Sequence, residues 1–513
     1  MFEQQDNAPW YRSTKVLIVS SILLPPLGIV LLWIRSDAGM RKKVLGSLCI
    51  VALAAGYVFL LGRGWRSRNQ NAHYDALEQQ RAQQAQETQN AATVPGAQQG
   101  AAQPGSANGT ANPADAMSLS HAGSTPPGGN YWTDFRGPNR DGRYDEKPVQ
   151  TRWPEKGLPQ IWKQLVGIGY ASFVVADGRA FTIEQRRAQE VVTAYDVSNG
   201  RELWTQGWTA EFKDDTGDGP RATPTWNEGR VYAVGATGEM RCLDANTGKI
   251  IWGKNILSDN GAENIPWGVA ASPLIVDDKV VVMAGGSGGK SVVAYNKMTG
   301  APVWKALGDQ SSYTSPMLVT LAGKRQVLVV TASRMAGLVP EDGSVIWETE
   351  WSNSFGINVS QPIVVDKNRL FISAGYGKGA ALVEVSGSGK SYVARKVWEN
   401  VVMKNKFNSS VLHNGYVYGL DEGILTCLDV NTGERKWKGG RYGYGQVLLA
   451  SGHLIVISDI GELALVAAVP DRYSELSRFS ALSGKTWNVP AIADGRLLVR
   501  NATEMACYNL AVP

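Results

Sequence analysis

The stretch CLDANTGKIIW (Cys242 to Trp252) returns 185 residues later as CLDVNTGERKW (Cys427 to Trp437). One active site needs one set of groups, so a phrase written twice points to an arrayed structural unit. Each part has a physical job. The apolar run ending at Leu243 or Leu428 has strand composition. Asp244 and Asp429 can accept hydrogen bonds from backbone N–H groups two residues on, which closes an Asx-type turn. Thr-Gly supplies a residue that tolerates positive φ, and the outgoing strand carries a Trp. The phrase reads as a hairpin with a large aromatic on its second strand.

Looser copies fill the gaps: YDVSNGRELW (Tyr195 to Trp204), YNKMTGAPVW (Tyr295 to Trp304) and VPEDGSVIW (Val339 to Trp347). With Trp162 and Trp398 they form a ladder of Trp residues at 162, 204, 252, 304, 347, 398 and 437. The spacing matches the roughly 40–50 residues of a four-stranded propeller blade. A second repeat, a polar turn between two strands, runs VVADGRAF, TWNEGRVY, IVDDKVVV, LAGKRQVLVV, VVDKNRLFI, LHNGYVYG, ASGHLIVI and IADGRLLV. Eight copies predict an all-β, eight-bladed propeller of four-stranded blades. After IADGRLLV and the strand EMACYNL the chain ends one strand short, so PQIWKQ (Pro159 to Gln164) is expected to complete the last blade. That closure removes the exposed edges of an open sheet.

The propeller is expected over residues 131–513, after an N-terminal tail (1–15), a two-helix transmembrane anchor (16–62) and a disordered linker (63–130). The anchor rests on two uncharged apolar spans of 19 residues each, Val16 to Ile34 and Val44 to Gly62. As helices they would be about 28 Å long, enough to cross a hydrocarbon core. Pro25-Pro26 predicts a kink in the first. The linker is rich in Gln, Ala, Asn, Gly, Pro and Ser and cannot bury a core, although AHYDALEQQRAQQAQ (residues 72–86) can form a transient helix. Up to Arg68 there are nine basic and three acidic residues, leaving 42 basic and 43 acidic for the rest. The net charge of +5 therefore belongs to the N-terminal segment. The propeller has no basic surplus of the kind nucleic-acid binding requires. The loop and flanks of the apolar pair are both basic, so charge does not fix the topology.

Motifs that resemble chemistry have blander readings. AGGSGGKS (Ala284 to Ser291) fits a relaxed phosphate-loop pattern but is followed by the strand-like VVAYN, so a glycine-rich hairpin is expected. DDTGDG (Asp214 to Gly219) starts like a calcium loop but has Thr225 where the bidentate Glu belongs, and reads as an acidic surface loop. His413 and His453 fall in turn slots. There is no Cys-x-x-Cys-His, no Gly-x-Ser-x-Gly nucleophile elbow and no adjacent cysteine pair. Cys242, Cys427 and Cys507 occupy equivalent strand positions in different blades, too far apart to bridge. The Trp ladder is read as packing between blades.

With these repeats laid out, FRGPNRDG (Phe135 to Gly142), GPRATPT (Gly219 to Thr225), the two CLD phrases and RYGYGQVLLASGHLIVISDIGELALV (Arg441 to Val466) make the chain closely resemble bacterial pyrroloquinoline-quinone-like (PQQ-like) β-propeller repeat proteins. That family resembles both the quinoprotein dehydrogenases and the non-catalytic propeller of the outer-membrane protein assembly machinery. Both work outside the cytoplasm, so the resemblance implies a bacterial inner-membrane protein with its ring in the periplasm. The dehydrogenases typically hold their quinone under a disulfide between adjacent cysteines, which this chain lacks. The expectation is a membrane-anchored, non-catalytic binding or scaffolding ring with envelope-protein partners, no cofactor and no catalytic or metal site. The alternative is a quinone-dependent oxidoreductase taking PQQ and calcium. Each blade opens with a short phrase: YASF, RATP, AASP, YTSP, VSQP, NSSV, YGQV or WNVP. Their first residues should ring the channel mouth. The candidate binding residues are Tyr170, Arg221, Trp267, Tyr313, Asn358, Asn408, Tyr444 and Trp487.

Overall fold

The structure of the protein is a computed structural model, which describes residues 14–23, 25–34, 39–92 and 132–512. Its contacts divide into two compact units, 1–78 and 79–513. The second holds eight antiparallel sheets in which strands follow one another in chain order. Six lie wholly within 174–209, 225–255, 274–306, 317–350, 363–400 and 411–441, and the seventh has its four antiparallel strands within 446–480. The eighth joins residues 491–509 to Gln160–Leu165, which pairs antiparallel with Glu504–Asn509. The expected closure is therefore present. First strands of neighbouring blades touch: Val174–Ala176 packs on Thr225–Asn227 and also on Ala491–Ala493, closing the circle. The seventh blade has a strand the repeats did not foretell, Arg143–Tyr144, parallel to Gln446–Ala450.

Local chemistry explains the blades. In six of the eight first-to-second-strand turns both central residues have positive φ, as in Asp177-Gly178 and Asn414-Gly415, which gives the right-twisted two-residue hairpin. Asp244 accepts from the backbone N–H groups of Asn246 (3.1 Å) and Thr247 (2.9 Å), and Asp429 does the same for Asn431 and Thr432. The repeated phrase has a second purpose that only the assembled ring shows. The indole N–H of Trp204 donates to Ala245 O (3.0 Å) in the next blade's turn, and a Cβ on Gly248 would lie 2.6 Å from the Trp204 ring. Trp162 on Val197, Trp252 on Lys297, Trp304 on Pro340, Trp398 on Val430 and Trp437 on Val469 repeat that clasp. Trp347 turns instead to Gln326 Oε1 in its own blade, because the fifth blade replaces the short turn with a ten-residue hairpin strand pair, Gly379–Ser388 and Ser391–Asn400.

The smaller readings fare similarly. Gly286 and Lys290 pair across a hairpin turn inside AGGSGGKS. Cys242, Cys427 and Cys507 are buried free thiols in separate blades, and burial pushes the Cys242 thiol up to about 11.

The N-terminal expectation needs correction. Val16 to Ile34 is divided between two ten-residue helices, α1 (Thr14–Leu23) and α2 (Pro25–Ile34). Each is about 15 Å long, half of a hydrocarbon core. Leu24, between them, lies outside the described residues. The second span lies in α3 (Met40–Ala92). Among the described residues no helix is long and apolar enough to cross a membrane, so the two-helix transmembrane anchor is not supported. Helix α3 also takes in residues 63–92, the first part of the expected disordered linker. The rest of that linker and the tail before Thr14 lie outside the described residues.

Candidate functional site

One side of the channel is closed by the segment that precedes the ring. Trp132 bridges to Val175 in the first blade, and Trp226 N–H of the second donates to Thr133 O (2.9 Å). Arg140, fully buried, donates to Pro316 O (2.9 Å), Ser272 O (3.2 Å) and Asp134 Oδ1 (2.9 Å). Arg136 reaches Ser410 O (3.0 Å) and Val447 O (3.3 Å) on the sixth and seventh blades. Burial lowers both guanidinium pKa values, that of Arg136 to about 10 despite nearby Asp141. FRGPNRDG is thus a plug whose two arginines satisfy inner-strand carbonyls across the ring.

Above it a belt of hydrogen bonds links the blade-opening phrases. Ser172 N–H donates to Thr223 Oγ1 (2.9 Å), Thr223 N–H to Ser272 Oγ (3.0 Å), Ser272 N–H to Ser315 Oγ (2.9 Å) and Ser315 N–H to Gln361 Oε1 (2.8 Å). Gln361 N–H continues to Ser409 Oγ (2.9 Å). Gln446 Nε2 spans Phe407 O (3.0 Å) and Trp487 O (2.8 Å), and Ser172 Oγ returns to Val489 O (2.5 Å). The third residues of six phrases, Ser172, Thr223, Ser272, Ser315, Gln361 and Gln446, therefore hold the inner ring together, with Ser409, the second residue of NSSV, between them. Their polar identity is visible in the sequence, but their role emerges only when neighbouring blades meet.

The first residues of the phrases are left to face a cavity of about 150 Å³. Tyr170, Arg221, Trp267, Tyr313 and Trp487 all line it, with Ala270, Val359 and the plug's Phe135. Tyr170 and Trp487 have ring centroids 5.6 Å apart, and Trp267 and Tyr313 are 5.4 Å apart. Phe407, which sequence reasoning missed because it stands one place before its phrase, stacks between them, 5.0 Å from Trp487 and 6.4 Å from Trp267. Tyr444 sits behind Phe407 at 5.1 Å, outside the cavity lining. Asn358 and Asn408 do not face it: both are buried, Asn358 donating to Thr331 O (2.8 Å) and Asn408 accepting from Asn405 Nδ2 (2.9 Å).

Three cations lie over these rings. Arg221 is 5.5 Å from the Tyr170 centroid, Lys485 is 3.6 Å from Trp487 and Lys406 is 5.0 Å from Tyr444. Arg221 is tied down by donation to Gly217 O (2.7 Å) and Gly219 O (2.5 Å), and burial lowers its pKa. Among the described residues, one fully buried side-chain atom of the lining has no hydrogen-bond partner, Gln446 Oε1. The arrangement offers aromatic faces, cationic edges and one spare acceptor, so it can hold an apolar or aromatic group by stacking. No group of three or more His, Cys, Asp or Glu side chains suited to a metal ion occurs among the described residues.

Residues 188–439 match the profile of the family described as Outer membrane protein assembly factor BamB. The protein of that name from Yersinia pestis is 24% identical over 58% of this chain and 76% of its own length. Quinoprotein ethanol dehydrogenase of Pseudomonas putida is 28% identical, over 28% of this chain and only 25% of its own. Among solved structures, quinohemoprotein alcohol dehydrogenase from Comamonas testosteroni superposes with a TM-score of 0.55 at 14% identity, covering 75% of this chain and 81% of its own, a likeness of fold alone.

Proposed function

Because the chain carries a propeller of the PQQ-like repeat family, we propose that it is a non-catalytic binding and scaffolding ring of the bacterial envelope, working in the periplasm with other envelope proteins. The observation that carries this reading is the cavity itself. Its walls are largely aromatic and its lining has no His, Cys, Asp or Glu, the make-up of an anchor pocket for a partner's side chain rather than of a site that moves protons. The match to an outer membrane protein assembly factor over 76% of that protein supports it.

The quinone reading fits the residues poorly. The chain has no adjacent cysteine pair to clamp a quinone, and its three buried cysteines lie in three different blades. A cavity of about 150 Å³ is small beside the roughly 300–1,000 Å³ of ligand pockets.

Membrane attachment through residues 16–62 belongs to the proposal. It is supported by the apolar side chains that the N-terminal unit leaves exposed, among them Leu27, Val30, Trp33, Leu45, Leu48 and Leu53. Soluble proteins seldom expose so many together. Carbonate extraction of cell envelopes tests it: the protein should stay with the membrane pellet, and release into the wash overturns attachment.

The docking proposal is tested by affinity recovery from solubilised envelopes, comparing wild type with the Trp267→Ala/Trp487→Ala double variant. An envelope protein recovered with wild type and lost with the variant, while the variant still unfolds cooperatively, is the expected result. Undiminished recovery rejects the mouth as the docking site.

A further inference from the structure

The closing strand Gln160–Leu165 is the outermost strand of the eighth blade, so one row of its backbone groups faces away from the sheet. Such an edge needs cover. Part of it is met by side chains of α3. Leu165 N–H donates to Gln80 Oε1 (3.1 Å), and Leu165 O accepts from Arg81 Nη2 (2.9 Å). Gln84 Nε2 and Gln80 Nε2 both donate to Gln164 Oε1, the former at 2.9 Å.

The same helix turns grip the first blade. Arg81 lies 3.3 Å from Glu202 Oε2, donates to Tyr195 Oη at 3.3 Å and stacks 5.1 Å above the Tyr195 ring. Arg201 Nη2 donates to Gln84 O (2.8 Å). Arg81 thereby joins a network already present in that blade, where Arg186 bonds both Glu184 (3.0 Å) and Glu202 (2.6 Å) and Tyr195 donates to Glu184 (2.9 Å). Burial pushes the Glu184 carboxyl up, but Arg186, Arg500 and Arg81 outweigh it and hold it at about 2. The Arg81 side chain is only 12% exposed, so these bonds are largely shielded from water.

We infer that residues 79–87 of α3 form a clasp on the seam between the last and first blades, with Arg81 as its pin. The closing strand shares no loop with the blade it completes, since residues 166–490 separate it from the rest of that sheet. Its hold is entirely lateral, and the clasp adds a second lateral hold from outside. The ring is locked by a piece of chain that precedes it, so disengaging that piece would free a strand edge and loosen this one seam.

Hydrogen–deuterium exchange of the full-length protein tests the clasp. In Arg81→Ala, peptides covering 160–166 should exchange about tenfold faster or more, the loss expected for a shielded charge-assisted hydrogen bond. Gln80→Ala should act in the same direction, and peptides of the fourth blade (317–350) should be unchanged. Unaltered exchange at 160–166 overturns the proposal. Equal acceleration in every blade overturns it too, because Arg81 would then support the whole fold rather than the seam.

Discussion

The outer rim and the inner mouth of the ring are built from the same repeat, yet one is uniform and the other is not. At the rim Trp162, Trp204, Trp252, Trp304, Trp398 and Trp437 each donate to a carbonyl of the following blade. At the mouth the first phrase positions are Tyr170, Arg221, Ala270, Tyr313, Val359, Asn408, Tyr444 and Trp487. Two places further on, six of the same phrases place a polar residue that bonds blade to blade: Ser172, Thr223, Ser272, Ser315, Gln361 and Gln446. Where the blades face the same packing problem, seven of the eight carry the same residue, the seventh blade alone lacking the Trp. Where blades face a shared open space, they differ, and their differences combine into one asymmetric aromatic cavity.

The largest effect that would sharpen this contrast is at the rim. Trp252→Ala should cost about 3–5 kcal/mol of stability, the range for emptying a buried aromatic site. Gly300→Ala, across the same clasp, should act in the same direction by about 1–3 kcal/mol, because Gly300 has φ of 72° and a Cβ there would lie 2.9 Å from the Trp252 ring. Denaturant unfolding checks both. If Trp267→Ala at the mouth destabilised the ring as much as Trp252→Ala, the division into structural rim and free mouth would fail.

A second effect lies between the two regions. Glu190 in the first blade accepts from Ala236 N–H (2.7 Å) and Trp208 Nε1 (3.1 Å), and burial raises its carboxyl to about 7. A folded pKa above the unfolded value means that the associated stability is fully present below about pH 4.5 and is lost as pH rises through about 7. The loss should be of the order of 3 kcal/mol. Melting temperatures of wild type and Glu190→Gln between pH 4.5 and 8 test this: the variant should lack that part of the slope, and parallel curves would refute it.

The smallest expected effect is on the stability of the mouth. Trp267→Ala removes a half-buried ring that packs on Tyr313 and Phe407 beside an opening, so unfolding should change by about 1–3 kcal/mol, from two aromatic pairs worth about 0.5–1.5 kcal/mol each. A much larger loss would make these rings channel filling rather than a docking surface.

The blade plan was legible because hairpins and clasps are local or repeat at a fixed period. Asp244, Gly248 and Trp252 announce a turn and a strand from their own chemistry, and repetition supplies the count. The mouth was partly legible. Aligning the phrases found Tyr170, Arg221, Tyr313 and Trp487, but it also chose Asn408, whose side chain bonds inward to Asn405, and passed over its neighbour Phe407. A one-residue shift in an irregular approach to a strand reverses which side chain points to the channel, and sequence does not fix that shift. Nothing in FRGPNRDG itself says that Arg136 and Arg140 are buried, because the carbonyls that they satisfy come from blades more than a hundred residues away. The tail of α3 is full of helix formers, yet nothing in Gln80 or Arg81 names Leu165 or Glu202, more than eighty residues away, as partners.

The most direct test of the central claim is site-specific photocrosslinking in living cells, with a photoreactive residue replacing Trp267 at the mouth in one strain and Leu203 at the rim in another. A discrete crosslinked envelope protein from position 267 and none from position 203 is the predicted result. Crosslinks from 203 alone would contradict the account and move the docking surface to the outer strands.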